Sequence, residues 1–350
     1  MLESAPKASY VKELKTSVGA ALVLAGAAGK GPFAAGAVQA LSAQSRLQFR
    51  FVAGASSGAL NAAVFAAGLR SGDSQEAAAD LCTLWQNQAN LGKVLRFKAR
   101  KQLVLKALRK FAERPTQQKA VKLRISVASL PGRIDEYGGL RFEEAYTYEA
   151  QDLCDARRLD EISEVCVASA ALPGLFRPRK AGHGGPYIDG GVVDNAPIGW
   201  ALSEDEQVSC VVVVTPTANR VKPGSFGWLP LFRIVDMLSA ERLHRELNQA
   251  KSVNERLDWL TAQQVDLSAL LEPELSRRGI SLSELRPVCR LQKLDFLEVR
   301  PEADLAGNLL TGFLSAQRRL EYIESGRIAA AIALSNFQRG EPSTSLSRTG

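Results

Sequence analysis

A serine at a predicted strand-to-helix turn is the first residue of this sequence whose type and setting could do chemistry. Residues 54–58 are Gly-Ala-Ser-Ser-Gly and fit the G-x-S-x-G pattern of a nucleophile elbow, where small neighbours let the backbone bend sharply beneath an exposed serine. Ser56 is in register, whereas centring the pattern on Ser57 would place alanines at both glycine positions, so Ser57 is predicted to lie early in the helix. The pattern also fits a Gly/Ser turn before an ordinary helix.

An elbow serine needs a base, and the sequence offers few candidates. The usual base is a histidine held by an acid, but the chain has only two histidines. His183 lies in a glycine-rich loop, and His244 lies in a predicted helix among charged neighbours, which is typical of a solvated face. A triad of Ser56, Asp189 and His244 is formally possible, but a histidine on a charged helix rarely serves as a catalytic base.

Two aspartates further along the chain could supply a catalytic carboxylate. Asp189 is followed by Gly190 and Gly191, which permit a tight turn that can aim the carboxylate at a neighbouring strand end. A lone Asp-Gly-Gly is nevertheless usually only a turn. Asp194 precedes Asn-Ala-Pro, a combination that favours an Asx turn and a structural role. We therefore rank Asp189 above Asp194.

A glycine-containing loop, residues 26–31, joins the first predicted strand to the first predicted helix. Backbone N–H groups at such a turn, reinforced by the positive end of the helix, can hold an oxyanion or a phosphate. A nucleotide site is disfavoured, because Lys30 precedes Gly31 and no G-K-[ST] follows, as a P-loop requires. The G-x-G-x-x-G spacing of a dinucleotide-binding fold is absent too.

The elements that must position these groups alternate between strands and helices. Apolar runs predict strands over residues 19–24, 50–53, 123–128 and 211–214, and helical spacing predicts helices over 33–41, 59–67, 231–260 and 309–332. This alternation predicts an α/β fold with helices on both faces of the sheet. We expect one domain, because no linker divides the chain, and no membrane span, because no apolar run reaches roughly 20 residues.

Composition places the chain among folded globular proteins. Its 350 residues are 46% hydrophobic and 23% charged, which allows a large core and argues against disorder. The five cysteines are odd in number and include no CxxC pair, which favours a reducing, cytoplasmic location. Residues 1–17 are expected to form an N-terminal extension, and residues 339–350 a disordered tail.

Positive charge is concentrated in one segment. Residues 93–124 contain twelve basic residues and one acidic residue, in a chain of net charge +7, which indicates a local anionic partner. Val104, Leu108 and Phe111 share one helix face, so the segment could be a basic helical insert lying on an anionic membrane, or a surface helix that covers the core. Nucleic acid is not expected, because only two aromatic residues accompany these charges.

In this order, the motifs resemble those of the patatin-like phospholipase family. That family has G-G-G-x-[RK]-G, then G-x-S-x-G, then D-G-[GA], and this sequence has residues 26–31, 54–58 and 189–191 in the corresponding places. Residues 168–176 and 187–197 are also similar to its A-S-x-A-x-P-G-x-F and Y-x-D-G-G-x-x-x-N-x-P blocks. The resemblance extends from about residue 18 to residue 197, and more faintly to residue 327.

The resemblance implies a three-layer α/β/α fold over residues 18–338, with a mostly parallel central sheet. It implies a lipid acyl hydrolase in which Ser56 is the nucleophile and Asp189 the general base, with an acyl-enzyme intermediate and neither a metal nor an organic cofactor. The implied oxyanion hole is Gly26, Ala27, Ala28, Gly29, Lys30 and Gly31, and the elbow and turn glycines are Gly54, Gly58, Gly190 and Gly191. The expected partner is a lipid or phospholipid substrate, with peripheral contact to an anionic membrane through residues 93–124.

One departure from the family pattern bears on activity. Ala27 and Ala28 stand where the family motif has glycines, and alanine at a position that requires a positive φ costs roughly 1 kcal/mol. An alanine still supplies its N–H group, so the loop is expected to function. The alternative is a catalytically silent scaffold or sensor that keeps the fold.

Overall fold

The structure is a computed structural model of the chain and describes residues 17–44, 46–135, 137–202, 208–218, 230–263, 265, 267–279, 293–308 and 310–339. All but one residue of the predicted extension 1–17, and all but one of the predicted tail 339–350, lie outside these residues.

The strands are β1 (Val18–Leu24), β2 (Leu47–Ala55), β3 (Lys122–Ile134), β4 (Leu140–Glu149), β5 (Arg179–Ala181), β6 (Gly184–Asp189), β7 (Cys210–Val214) and β8 (Asp295–Val299). The helices are α1 (Pro32–Ser42), α2 (Ser57–Ser71), α3 (Ser74–Gln88), α4 (Leu91–Val94), α5 (Phe97–Ala112), α6 (Ala156–Ser169), α7 (Ile198–Leu202), α8 (Pro230–Ala262), α9 (Leu267–Arg277), α10 (Thr311–Leu314) and α11 (Ala316–Arg339).

Within the described residues, eight strands form one mixed sheet. Its order is β5-β6-β3-β2-β1-β7-β8, and β4 pairs with the remaining edge of β3. β1, β2, β3, β7 and β8 run parallel, and the antiparallel pairs are confined to the side that holds β4, β5 and β6. The α/β fold with a mostly parallel sheet is therefore confirmed.

The central strands are buried on both faces, as their continuous apolar sequences require. In β1, Leu22 and Leu24 face a large core that includes residues of α1, α2, α3, α5, α6 and α11. Ala21 and Val23 face a second core, to which α7 and the middle of α8 contribute. Helices thus cover both faces, and the expected three-layer arrangement is confirmed.

One edge of β3 carries two strands placed end to end. β2 pairs with residues 122–126 of β3, and β6 pairs with residues 127–129. β4 occupies the opposite edge of β3 over residues 122–128, so β2 and β6 must share the same edge. Because β2 is parallel and β6 antiparallel to β3, their carboxyl ends meet there, at Ser126 and Val127.

The predicted elements agree with the structure in type and less closely in extent. The four predicted strands lie within β1, β2, β3 and β7, and the helices predicted over 33–41, 59–67 and 231–260 lie within α1, α2 and α8. The single helix predicted over 309–332 is wrong, because α10 and α11 are separate helices with Ser315 between them. β4 lies outside every predicted strand, since only Tyr146 and Tyr148 of its side chains are buried.

The basic segment 93–124 is not a continuous helical insert. Its helix is α5, and the segment also includes the start of β3 at Lys122. Val104, Leu108 and Phe111 are almost completely buried in the large core, so the suggestion that this apolar stripe lies on a membrane is wrong. The alternative, a charged surface helix over the core, is confirmed.

The described helices include none that is long and apolar enough to cross a membrane.

α11 lies against α1, the helix that follows the glycine-containing loop. The two backbones approach so closely that a Cβ on Gly36 would overlap the Ile323 carbonyl, and a Cβ on Gly326 would overlap the Phe33 carbonyl. Each helix therefore needs a glycine opposite the backbone of the other. This packing holds α1, and with it the end of the loop 26–31, against α11.

We expect Gly36→Ala and Gly326→Ala each to lower the free energy of unfolding by about 1–3 kcal/mol, the usual cost of overpacking a core. The matched control is Gly199→Ala in α7, where an added Cβ meets nothing within 4 Å and helix propensity favours alanine. Urea denaturation of the three variants measures the effect. Equal stability of all three would contradict the proposed close packing of α1 and α11.

Candidate active site

Ser56 occupies a sharp turn between β2 and α2. Its backbone has φ 54° and ψ −126°, a conformation that L-residues rarely adopt and that costs on the order of 1–3 kcal/mol. Among the described non-glycine residues, only Ser56 and Ala28 have a positive φ. Strain of this kind is expected of a nucleophile elbow, in which the turn presents the serine at the end of the strand. Ser57 is the first residue of α2, as predicted.

The glycines on either side of Ser56 are required by close backbone approach. A Cβ on Gly54 would overlap the backbone of Gly58, and a Cβ on Gly58 would overlap the Leu24 carbonyl. Even an alanine would therefore push the start of α2 away from β2 if placed at residue 54, and away from β1 if placed at residue 58. The spacing of the G-x-S-x-G pattern is explained by these two contacts.

The structure brings Ser56 and Asp189 together from the facing ends of β2 and β6. Ser56 Oγ donates a hydrogen bond of 2.8 Å to Asp189 Oδ2, and the Gly191 N–H donates to Asp189 Oδ1 at 2.8 Å. Gly190 lies against β3, where a Cβ would overlap the Ser126 carbonyl. The two glycines after Asp189 thus allow the turn that aims its carboxylate at the elbow.

A second serine links the elbow to the sheet. Ser169, the last residue of α6, accepts a hydrogen bond of 2.8 Å from the Ser56 N–H and donates one of 2.6 Å to the Ser126 carbonyl. Ser169 is completely buried. The sequence places it in a segment similar to a family block but gives no sign of this bridging role.

Burial changes the acidity of Asp189. Its carboxyl group is 2% exposed, and this burial raises its pKa to about 7, against the lowering effects of the Ser56 and Gly191 hydrogen bonds and of the Arg100 charge. A carboxylate with such a pKa is a much stronger base than an ordinary aspartate, whose pKa is about 3.9. The group can accept a proton near neutral pH.

Internal hydrogen bonds occupy most N–H groups of the loop 26–31. The N–H of Gly26 donates to the Asn195 carbonyl, that of Ala27 to Ser57 Oγ, and those of Lys30 and Gly31 to the carbonyls of Ala27 and Ala28. In the described part of the chain, only Ala28 and Gly29 of the six residues have an N–H without an acceptor. These two are the remaining candidates for oxyanion donors.

The two alanines of this loop differ in backbone strain. Ala27 has a negative φ of −155° and so does not call for a glycine, whereas Ala28 has φ 46°, where an alanine costs roughly 1–2 kcal/mol more than a glycine. Ala28 keeps its N–H, so the strain does not remove a donor.

Two asparagines, the buried Asn61 and the half-buried Asn195, hold the loop in place, and the sequence analysis did not assign either to the site. Asn61 Nδ2 donates to the Gly31 carbonyl at 3.2 Å, and its Oδ1 accepts from Trp85 Nε1 at 2.7 Å. Asn195 Nδ2 donates to the Gly26 carbonyl at 3.0 Å. Asn61 is the single polar residue of the predicted helix 59–67, which is a signal that sequence reasoning could have used.

The other candidate bases lie elsewhere. His183 is exposed beside the Tyr146 ring, and His244 is exposed and hydrogen bonds to Asn248. Asp194 is buried and pairs with Arg242 at 3.0 Å, and burial, followed by the charge of Glu143, raises its pKa to about 8. The Ala196 N–H bonds to the Asp194 carboxyl, in agreement with the predicted Asx turn.

A mostly apolar cavity of about 100 Å³ opens beside the elbow. Its lining includes Ala28, Ser56 and apolar side chains of α2, α3, α4, α5, α6 and the segment around α10. Of the described residues that line the cavity, Arg100 alone is charged. Such a cavity is suited to an apolar chain whose polar end reaches the elbow serine.

Comparison with known proteins now gives the class of the protein. A family model described as patatin-like phospholipase matches residues 22–202, slightly more than half of the chain, and this range includes Ser56, Asp189 and the loop 26–31. The chain belongs to the patatin-like phospholipase family. No curated protein matches the chain.

Among solved structures, the chain is similar to VipD from Legionella pneumophila. The identity is 13% and the TM-score 0.43, over 96% of this chain and 72% of the other.

The raised pKa of Asp189 has a consequence for stability. Its carboxyl has an ordinary pKa of 3.8 and a pKa of about 7 in the folded chain. The stability that the protonated group contributes is therefore fully present below pH 3.8 and is lost as the pH rises through 7. Relative to wild type, Asp189→Asn should gain about 3 kcal/mol of unfolding free energy between pH 5 and pH 8.

Urea denaturation of both proteins at the two pH values measures this gain. Asp194 is present in both, so its own titration cancels in the difference. A difference that does not change with pH would mean that the Asp189 carboxyl ionises as readily in the folded chain as in water.

Proposed function

We propose that the protein is a lipid acyl hydrolase that cleaves carboxylic esters with a Ser56–Asp189 dyad. The observation that carries the proposal is the 2.8 Å hydrogen bond from Ser56 Oγ to the buried Asp189 carboxylate at a strained elbow. Membership of the patatin-like phospholipase family supports lipid hydrolysis, and the apolar cavity beside Ser56 supports an acyl chain as the group that is bound.

In the first half of the proposed reaction, Asp189 takes the proton of Ser56 as Oγ attacks the ester carbonyl. The carbonyl oxygen becomes an oxyanion, for which Ala28 and Gly29 offer N–H donors, each worth on the order of 3–4 kcal/mol of barrier reduction in comparable sites. The tetrahedral intermediate collapses, its bond to the alcohol breaks, and Asp189 returns the proton to the leaving oxygen. The acyl group is then bound to Ser56.

In the second half, Asp189 takes a proton from a water molecule that attacks the acyl-enzyme. The fatty acid leaves and Ser56 Oγ recovers its proton, so the dyad returns to its starting state. The raised pKa of Asp189 suits both halves, because a base with a pKa near the working pH accepts and returns a proton with similar ease.

The alternative proposal is a catalytically silent scaffold, whose sequence support is the pair Ala27 and Ala28. Ala27 has a negative φ and so does not call for a glycine, and the strain at Ala28 is of the same kind as that at Ser56. A silent scaffold also has no need to keep a buried carboxylate beside a strained serine, since both features cost stability. The enzyme is therefore the better supported proposal.

A fluorophosphonate probe distinguishes the two proposals. It should label the wild type at Ser56 and leave Ser56→Ala unlabelled, and Asp189→Asn should lose turnover of a p-nitrophenyl ester by several orders of magnitude, because the amide cannot accept a proton. The matched controls are His183→Ala and His244→Ala, which should retain most of the activity. A wild type that neither labels nor cleaves any ester would support the silent scaffold, and loss of turnover in a well-folded histidine variant would support a triad.

We also propose that the cavity faces an anionic lipid surface through the basic groove beside it. This groove is lined by Lys93, Arg96, Lys106 and Arg109, contains no acidic residue, and shares Leu103 with the cavity. Lys110 does not belong to it, because its ammonium group pairs with Glu76 and Asp80. The exposed charges, rather than the buried apolar stripe of α5, are the basis of this proposal.

The double variant Lys106→Gln/Arg109→Gln should bind anionic vesicles about 30-fold more weakly, at about 1 kcal/mol for each basic residue near the surface. Raising the salt concentration should weaken the wild type in the same way. Arg277→Gln/Arg278→Gln removes the same charge from α9 and serves as the control. Equal losses in both double variants would mean that net charge, and not the groove, determines binding.

A further inference from the structure

Arg100 is a buried arginine that forms no ion pair with any acidic residue that the structure describes. Its side chain comes from α5, is 9% exposed, and lines the cavity beside Ser56. Nη1 donates to the Ala170 carbonyl at 3.2 Å, but Nε and Nη2 are buried without a hydrogen-bond partner. The guanidinium lies 4.0 Å above the Phe176 ring, which fixes its plane but satisfies none of these donors.

A buried cation with open donors is costly unless a ligand completes it. Burial leaves the charge poorly solvated, and unpaired buried charges cost several kcal/mol. Burial, followed by the charge of Arg179, lowers the pKa of Arg100 only to about 10, so the guanidinium remains charged at neutral pH. A planar guanidinium with two free donors has the geometry that binds phosphate or carboxylate oxygens.

A second arginine lies close to Arg100. Arg179 of β5 is near enough to affect the pKa of Arg100, and its own Nε is buried without a partner. It lies 4.5 Å above the Phe97 ring. In the described part of the chain, neither arginine forms an ion pair. The charge of Asp189 also acts on Arg100, but Asp189 forms no ion pair with it, so two like charges close together favour an anion at that place.

The location decides which anion fits best. Arg100 lines the same cavity as Ser56, and its charge is close enough to lower the pKa of Asp189. An anion held there would therefore lie beside the ester that Ser56 attacks. In a glycerophospholipid the phosphate is joined to the same glycerol as the scissile ester, which gives this short separation.

We propose that Arg100, assisted by Arg179, is a phosphate subsite that binds the phosphodiester of a glycerophospholipid while its acyl ester lies at Ser56. The inference rests on the proposed function for the identity of the ester, and on the unpaired guanidinium donors for the phosphate. Arg100 would thus select phosphate-bearing lipids over neutral lipids with the same acyl chains.

Binding to the Ser56→Ala protein tests the subsite without turnover. Calorimetry compares monomeric dihexanoylphosphatidylcholine, dihexanoylglycerol and inorganic phosphate. The phospholipid should bind about ten to a hundred times more tightly than the diacylglycerol, as expected for charge-assisted hydrogen bonds. Adding Arg100→Gln should remove this preference, whereas Arg177→Gln, which removes an exposed charge from the same loop region, should keep it.

The proposal can be overturned in three ways. Equal affinity of the Ser56→Ala protein for the two lipids would overturn it, as would a preference that survives Arg100→Gln. Binding of inorganic phosphate without a preference for the phospholipid would mean that the subsite takes a free anion and not a lipid headgroup. If Arg100→Gln does not fold, Arg179→Gln and competition between inorganic phosphate and the phospholipid test the same site.

These results are separable from the test of the proposed function. A wild type that cleaves no ester, together with a strong phospholipid preference in Ser56→Ala, would contradict the hydrolase and leave the phosphate subsite standing. Ester hydrolysis without a phospholipid preference would leave the hydrolase standing and contradict the subsite.

Discussion

The site depends on the way in which two strands share one edge of β3. β2 runs parallel to β3 and its last residue pairs with Ser126, whereas β6 runs antiparallel and its last residue pairs with Val127. The carboxyl ends of β2 and β6 therefore face each other at adjacent positions of β3. Ser56 and Asp189 are the residues at these two ends, and their hydrogen bond is a consequence of this register. Ser169 fixes the same junction from the helix side, because it bonds both the Ser56 backbone and the Ser126 carbonyl.

Several costs to stability are concentrated around this junction. Ser56 and Ala28 have strained backbones, Asp189 is a buried carboxyl, and Arg100 is a buried cation without an acid. The two apolar cores on either side of the sheet offset these costs, since hydrophobic burial is the main favourable contribution to folding. In natural proteins, strained backbones and buried charged groups are concentrated at functional sites. Here they lie within one cavity and its rim.

The sequence predicts the parts of this site that depend on local turn chemistry. The elbow glycines and the glycines after Asp189 are such parts, because each is required by a backbone contact that leaves a short sequence pattern. The pairing of Ser56 with Asp189 joins residues 133 positions apart, and only the family resemblance suggested it. The sequence left the stripe on α5 open between a membrane and the core for a related reason: helical periodicity identifies an apolar face but does not say what covers it.

In the proposed reaction, the charge of Arg100 would couple the binding of a phosphate-bearing lipid to catalysis. The Arg100 guanidinium lowers the pKa of Asp189, whereas burial raises it to about 7. An anion bound at Arg100 neutralises that guanidinium, so part of its lowering effect is lost and Asp189 becomes a stronger base. A phosphate-bearing lipid would thereby strengthen the base that deprotonates Ser56 for attack on the ester of that same lipid. A neutral lipid would leave the opposing charge of Arg100 in place, so the two classes would differ in the chemical step as well as in binding.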